Sequence, residues 1–223
     1  MKPAQAVTPV ADQKRRAFWL KHLHQWHWIS SGICLIAMLA FAATGVTLNH
    51  AAQIEAHPKV ERRDGQLPDK LLDPLKRQAL VAAADAKSAA ARQPLPPAVR
   101  DWVGQHMQVT VGEQVAEWST DEVYVSLPRP GGDAWLRVAL EDGTVEVEKT
   151  DRGWISYFND LHKGRNTGAA WSWFIDIFAV SCLVFCITGL FLLQIHAAKR
   201  PATWPLVVLG LVVPLLLAVL FIH

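Results

Sequence analysis

Apolar residues crowd three stretches of this chain, from about Trp28 to Leu48, from about Trp171 to Ile195 and from about Trp204 to Ile222. Each is long enough to supply the roughly 20 helical residues that cross a hydrocarbon core of about 30 Å. Each also opens on tryptophan, whose ring favours the headgroup level with its indole N–H still wet. The pattern predicts three transmembrane helices. The first stretch is longer than the apolar core of a cleaved signal peptide, about 7–15 residues, and is read as an uncleaved anchor.

Between the first two stretches the period changes twice. Asp73-Pro74 reads as a helix start, Asp as N-cap and Pro at the first helical position, and the Ala-rich run to about Ala91 favours helix. Pro94, Pro96 and Pro97 stop it and open a second short helix carrying Val99, Trp102, Val103 and Met107. From Val123 the period is two: Val123, Val125 and Leu127, then Trp135 to Leu140, then Val145 and Val147, with turns at Pro130-Gly131-Gly132 and Asp142-Gly143. The expected fold class is a helical membrane protein with an α+β extracytoplasmic insert, helices followed by a small antiparallel meander. Its expected organisation is an N-terminal segment 1–27, spans 28–48, 171–195 and 204–222, the insert 49–170 and a link 196–203.

Charge orients this arrangement. Lys14, Arg15, Arg16 and Lys21 precede the first span, and Lys199 with Arg200 fill the link between the second and third. The positive-inside rule then puts both of these in the cytoplasm, and the insert and His223 on the far side. Lys163 and Arg165 near the second span oppose the bias slightly. Hydrophobic residues are 51% of the chain and the formal net charge is only +2, with no basic, aromatic-studded stretch, so no nucleic-acid partner is expected. Cys34, Cys182 and Cys186 all lie in apolar runs, which indicates neither a disulfide framework nor a zinc site. A C-x-x-C-H sequence is absent too, so a c-type haem is not attached by the usual route.

The first two spans share landmarks in the same order. The first reads LHQWHWISSGICLIAMLAFAATGVTLNHAA and the second LHKGRNTGAAWSWFIDIFAVSCLVFCITGLFLLQIHAA. Both begin Leu-His, present Trp-x-Trp, carry Thr-Gly late and finish His-Ala-Ala. As the spans cross in opposite directions, this is the pattern of an inverted repeat. It pairs His24 with His196 on the cytoplasmic side and His50 with His162 on the far side. His24 and His50 would stand about 39 Å apart on an unbroken helix. His162 is expected to reach back from a loop, since Gly164, Asn166 and Gly168 follow it. His27 has no counterpart in this alignment, because Ser172 holds the matching place; as the i+3 neighbour of His24 it is an alternative ligand.

Two imidazoles at each face suit b-type haem, whose iron takes two axial histidines. The expected ligands are His24 (or His27) with His196, and His50 with His162, for two haems. Lys163 and Arg165 beside His162, and Lys199 and Arg200 beyond His196, would meet the propionates. Gly45 and Gly189, in the two Thr-Gly steps, would let a ring approach closely. Asp176, one turn inside the second span, is either a proton-handling or histidine-bonding carboxylate or a side chain that snorkels to the surface. His57 reads as solvated and His106 as an ordinary surface or packed residue. No glycine-rich nucleotide fingerprint is present, so any flavin or nicotinamide would belong to a partner.

The stretches HQWHWISSG, TGVTLNH, EDGTVEVEKTDRGWISYFNDLHKGRNTG, WSWFID and TGLFLLQIH resemble the PepSY-associated transmembrane proteins of bacteria, in their short three-span type. Larger relatives in that family are inner-membrane haem proteins that reduce iron in ferric siderophores at the periplasmic face. The resemblance therefore implies a membrane oxidoreductase of ferric-reductase type in the bacterial inner membrane. It would have a cytoplasmic-side electron donor, a periplasmic ferric chelate or protein as acceptor, and a PepSY-type module at Val123 to Val147. Two readings from other classes use the same residues. One is a non-redox periplasmic binding or assembly module anchored in the membrane with no cofactor; the other handles copper or iron ions through the histidines without porphyrin.

Overall fold

The computed structural model describes residues 10–55, 57–84 and 90–222, apart from the side chains of residues 10, 11 and 199. In chain order the elements are α1 (Val10–Asn49), β1 (Lys59–Gln66), α2 (Asp69–Ala84), α3 (Pro97–Met107), β2 (Glu117–Trp118), β3 (Glu122–Ser126), β4 (Gly132–Ala139), β5 (Thr144–Asp151), α4 (Gly153–Lys163), α5 (Gly168–His196) and α6 (Thr203–Phe221). The chain divides into two compact units, Met1–Ala40 with Trp173–His223, and Phe41–Ser172. Helices α1, α5 and α6 are long and apolar enough to cross a membrane, so the protein is a multi-pass helical membrane protein carrying a sheet domain.

In the unit of residues 1–40 and 173–223, Ser30, Cys34 and Thr188 are buried while most large apolar side chains point outward. That is the reverse of a water-soluble core and suits contact with lipid tails. None of the described residues of α6 is buried.

The unit of residues 41–172 is built on a five-stranded antiparallel sheet in the order β1-β5-β4-β3-β2. Period-two alternation puts Val123, Val125, Leu136, Val138, Val145 and Val147 on one face, where Leu72, Leu75 and Ala79 of α2 and Val99, Val103 and Met107 of α3 complete the core. On the other face Arg137 of β4 bridges Glu122 of β3 and Glu146 of β5. The expected three-stranded meander is thus the centre of a larger sheet. The edge strand β1, KVERRDGQ, pairs with β5 from Lys59 opposite Asp151 to Gln66 opposite Thr144. It carries no apolar alternation because it is almost wholly exposed, and its charges protect an open edge.

Helix α2 begins at Asp69 rather than at Asp73-Pro74. The buried stripe of Leu72, Leu75, Ala79 and Ala82 starts upstream of Pro74, and the Pro68 carbonyl accepts the N–H groups of Leu71 and Leu72 at 2.8 and 3.0 Å. Pro74, at the sixth position, forfeits one backbone bond, which burial of the stripe outweighs. The helix ends at Ala84, and the expected continuation through residues 85–89 lies outside the described residues. Helix α3 forms as expected.

The segment GWISYFNDLHK, not expected as helix, forms α4. His162 is in its last turn and not in a loop. Gly164 does end the helix, but after His162: it takes φ 66°, and the next N–H, of Arg165, closes on the Asp160 carbonyl at 2.9 Å. The buried side chains of α4 are polar. Asp160, 3% exposed, accepts the Gly131 N–H at 2.9 Å and pairs with Arg165 at 2.9 Å. Gly131 must lack a side chain here, since at φ 74° a Cβ would lie 2.8 Å from the Tyr157 backbone. Asp160→Asn keeps the shape but removes the charge from both bonds, and is expected to cost about 1–2 kcal/mol. A thermal melt of the detergent-solubilised protein checks this; an unchanged midpoint would mean the carboxylate does not hold the β3–β4 turn.

Candidate functional site

Helix α1 carries His24 and His27 three residues apart. His27 is half-buried against α5, its ring stacked on Phe185 with centroids 4.6 Å apart. Its Nδ1 lies 3.0 Å from Thr188 Oγ1 and 3.2 Å from the Phe185 carbonyl oxygen. The Thr188 hydroxyl donates its proton to the Val184 carbonyl at 2.7 Å, so towards the ring it accepts, as does the carbonyl. His27 Nδ1 must then carry hydrogen, which leaves the lone pair on Nε2. Gly189 supplies the room: a Cβ there would stand 3.3 Å from His27 Cε1.

The rings of His24 and His196 are neighbours in an edge arrangement, with centroids 6.3 Å apart and planes at 90°. Each Nδ1 is held by the carbonyl four residues back, Leu20 at 2.8 Å and Leu192 at 2.7 Å. Both are therefore Nδ1–H tautomers with Nε2 free, the arrangement in which a backbone carbonyl orients a metal-ligating imidazole. Two imidazoles sharing one metal in line, at about 2.0 Å per bond, would have ring centres about 6 Å apart, so this spacing fits. His27, His196, Gly189 and Arg200 line one pocket of about 400 Å³. The side chain of Lys199, the other cation expected there, lies outside the described residues, as does His223.

In the unit of residues 41–172, His162 of α4 lies on the Thr44-Gly45 step of α1. Its Nδ1 is 2.7 Å from Thr44 Oγ1, which donates its own proton to the Phe41 carbonyl at 3.1 Å. His162 is thus also an Nδ1–H tautomer. A Cβ on Gly45 would stand 3.6 Å from His162 Cε1, and the ring lies 5.0 Å from that of Phe41. One turn earlier, Asn159 Oδ1 accepts the Thr47 hydroxyl at 2.7 Å. Trp171 donates its indole N–H to the Leu161 carbonyl at 2.9 Å, tying the entry of α5 to α4.

The repeat is thus closed by an exchange of histidines. The Thr-Gly step of the first half seats His162, and that of the second half seats His27. His27 therefore has a counterpart, and it is His162; an alignment on Leu-His, which matches His24 to His162, is three residues out of register. His50 is exposed, with Nδ1 on the Val46 carbonyl at 3.0 Å. No described hydrogen bond or ring contact joins it to His162, in contrast to His24 and His196. Arg165 is engaged with Asp160 and Lys163 is exposed. Asp176 is exposed on α5 with no described partner. His106 stacks on Trp102 at 4.6 Å, a packed surface residue. Asn159, Asp160 and the two threonines are the site residues that sequence reasoning passed over; Thr-Gly recurring at matched places was the signal for the latter.

Among the described residues no group of three or more His, Cys, Asp or Glu side chains gathers as for a metal ion. A bare copper or iron ion generally draws on more protein ligands than two, whereas haem iron needs only axial ones because the porphyrin supplies the rest. The His24–His196 pair fits the second requirement. Comparison with curated proteins and with solved structures gave no match. Residues 18–223 match the PepSY_TM-like family, and with nearly the whole chain covered, the protein belongs to that family.

Proposed function

We propose that the protein is a b-type haem electron carrier of the bacterial inner membrane, with the α1 amino terminus in the cytoplasm and the sheet domain in the periplasm. The observation that carries this reading is the neighbouring pair His24 and His196, rings 6.3 Å apart, each fixed through Nδ1 so that Nε2 carries the lone pair. Haem held there would supply reversible one-electron chemistry and nothing that needs an acid, base or nucleophile from the chain. His24 and His196 would hold the iron, while Arg200, which lines a pocket with His196, would meet an anionic edge of the ring. His27, seated on Thr188, stands by the same pocket with its own free Nε2. On the far side His162 and His50 are the residues for a second group, though no described contact joins them. Electrons would come from a cytoplasmic donor and leave to a periplasmic ferric chelate; reduction to ferrous iron weakens its hold by hard oxygen ligands. The test is a dithionite-reduced minus oxidised spectrum of the full chain purified from haem-replete cells. Sharp Soret and α bands are expected, with the haem content per chain distinguishing one site from two; a colourless preparation would sink the proposal.

A further inference from the structure

We infer that α4 is a membrane-surface helix: its outer face, Trp154, Tyr157 and Phe158, lies in the headgroup layer of the bilayer where α1 emerges, and its inner face carries the sheet domain. The three rings stand at positions i, i+3 and i+4, on one side of the helix. They are 69%, 44% and 45% exposed, and they gather, the Phe158 centroid lying 6.3 Å from that of Trp154 and 5.6 Å from that of Tyr157. The buried side chains of the helix are Asn159 and Asp160. Such inverted burial is costly in water and natural where rings meet lipid headgroups and the polar side meets protein.

The hydrogen bonds of α4 set its level. His162 meets Thr44, and Asn159, three residues earlier, meets Thr47, three residues later, each at 2.7 Å. The two helices therefore run antiparallel, and a step back along α4 is a step outward along α1. Phe158 and Tyr157 come level with Leu48 and Asn49, where the apolar run of α1 ends. Trp154 comes level with Ala52, about 6 Å farther out at about 1.5 Å per residue. The pocket that Trp154 and Ile155 line with Ala51 and Ile54 keeps the same register. A hydrocarbon core of about 30 Å within a bilayer of about 40–45 Å leaves a headgroup layer about 5–7 Å deep on each side, which spans these three levels.

Charges at the foot of α4 fit that depth. Arg165 pairs with the buried Asp160 at 2.9 Å, and Lys163 is exposed, with a stem that lets its ammonium snorkel outward. The three rings carry no charge, so the face suits a zwitterionic phospholipid surface. The same helix grips the sheet domain: Asp160 accepts the Gly131 N–H at 2.9 Å, and Arg152, just before α4, donates to Asp133 at 2.6 Å. Lipid that holds α4 thereby holds the β3–β4 turn.

The full chain, labelled with fluorotryptophan and reconstituted in phosphatidylcholine nanodiscs, is followed by fluorine NMR; the resonance lost in Trp154→Phe belongs to Trp154. A nitroxide on the lipid headgroup should broaden that resonance at least about threefold more than a gadolinium chelate in the water does. Phe158→Glu puts a charge on the exposed face without entering the core, and should cut the lipid broadening at least about twofold. Stronger broadening by gadolinium would leave α4 in water, and protection from both probes would seat a second copy of the chain on these rings. Lipid broadening unchanged in Phe158→Glu would mean that the face makes no lipid contact. Each of these results would overturn the inference.

Discussion

Alanine in place of His196 is expected to strip the same pigment as alanine in place of His24, completely in each case and without unfolding the protein. Both rings are exposed, and among the described residues each hydrogen-bonds to a carbonyl of its own helix. Neither substitution opens a core cavity or strands a buried donor, so the stability change should stay within about 0.5 kcal/mol. Loss of haem with an unchanged melting curve then separates ligation from folding. His27→Ala is the discriminating control, because His27 shares the pocket with His196 but is tied to Thr188 and Phe185. It should lower stability by about 1 kcal/mol and leave the haem stoichiometry intact. Loss of pigment in His27→Ala but not in His24→Ala would transfer the ligand role to His27. Retention of pigment in His196→Ala would remove the pair altogether.

The parts of this fold legible in the sequence are those whose burial follows the usual sign. The spans announce themselves by length, and the strands from Val123 to Val147 by alternation, since one face of the sheet is dry. Strand β1 stayed hidden because an exposed edge needs no apolar residue, and its pairing with β5 is almost entirely a backbone affair. Helix α4 was hidden for the opposite reason. Its rings face outward and its buried positions are Asn159 and Asp160, so the stripe that reveals an amphipathic helix points away from the domain. At the site, His24 and His196, paired in the sequence reading, lie with ring centroids 6.3 Å apart. That reading missed the seating of His27 and His162, because the matched object is a hydrogen bond between halves, and neither half contains both partners.

That seating yields the other large effect. Valine at Thr44 and at Thr188 keeps the side-chain shape but removes the oxygen that accepts from His162 Nδ1 and His27 Nδ1. A half-buried imidazole N–H loses its acceptor in each variant. The effect should be about 1–2 kcal/mol, smaller for Thr188→Val because the Phe185 carbonyl remains within reach of His27. The two threonines share no partner, so Thr44→Val/Thr188→Val should sum to about 2–4 kcal/mol. That corresponds to a fall of about 5–15 °C in the melting midpoint for a chain of this size. Serine at either position should restore most of the loss, since the hydroxyl is what the ring uses. The adjoining glycines sharpen the comparison. A methyl at Gly45 meets His162 at an ordinary 3.6 Å, whereas at Gly189 it meets His27 at 3.3 Å and the ring must give way. Alanine should therefore be tolerated at Gly45 and destabilising at Gly189. Two Thr-Gly steps doing the same work must respond alike to loss of the hydroxyl, each in proportion to the acceptors left behind. If Thr44→Val is silent while Thr188→Val unfolds the protein, the exchange of histidines is not what joins the halves.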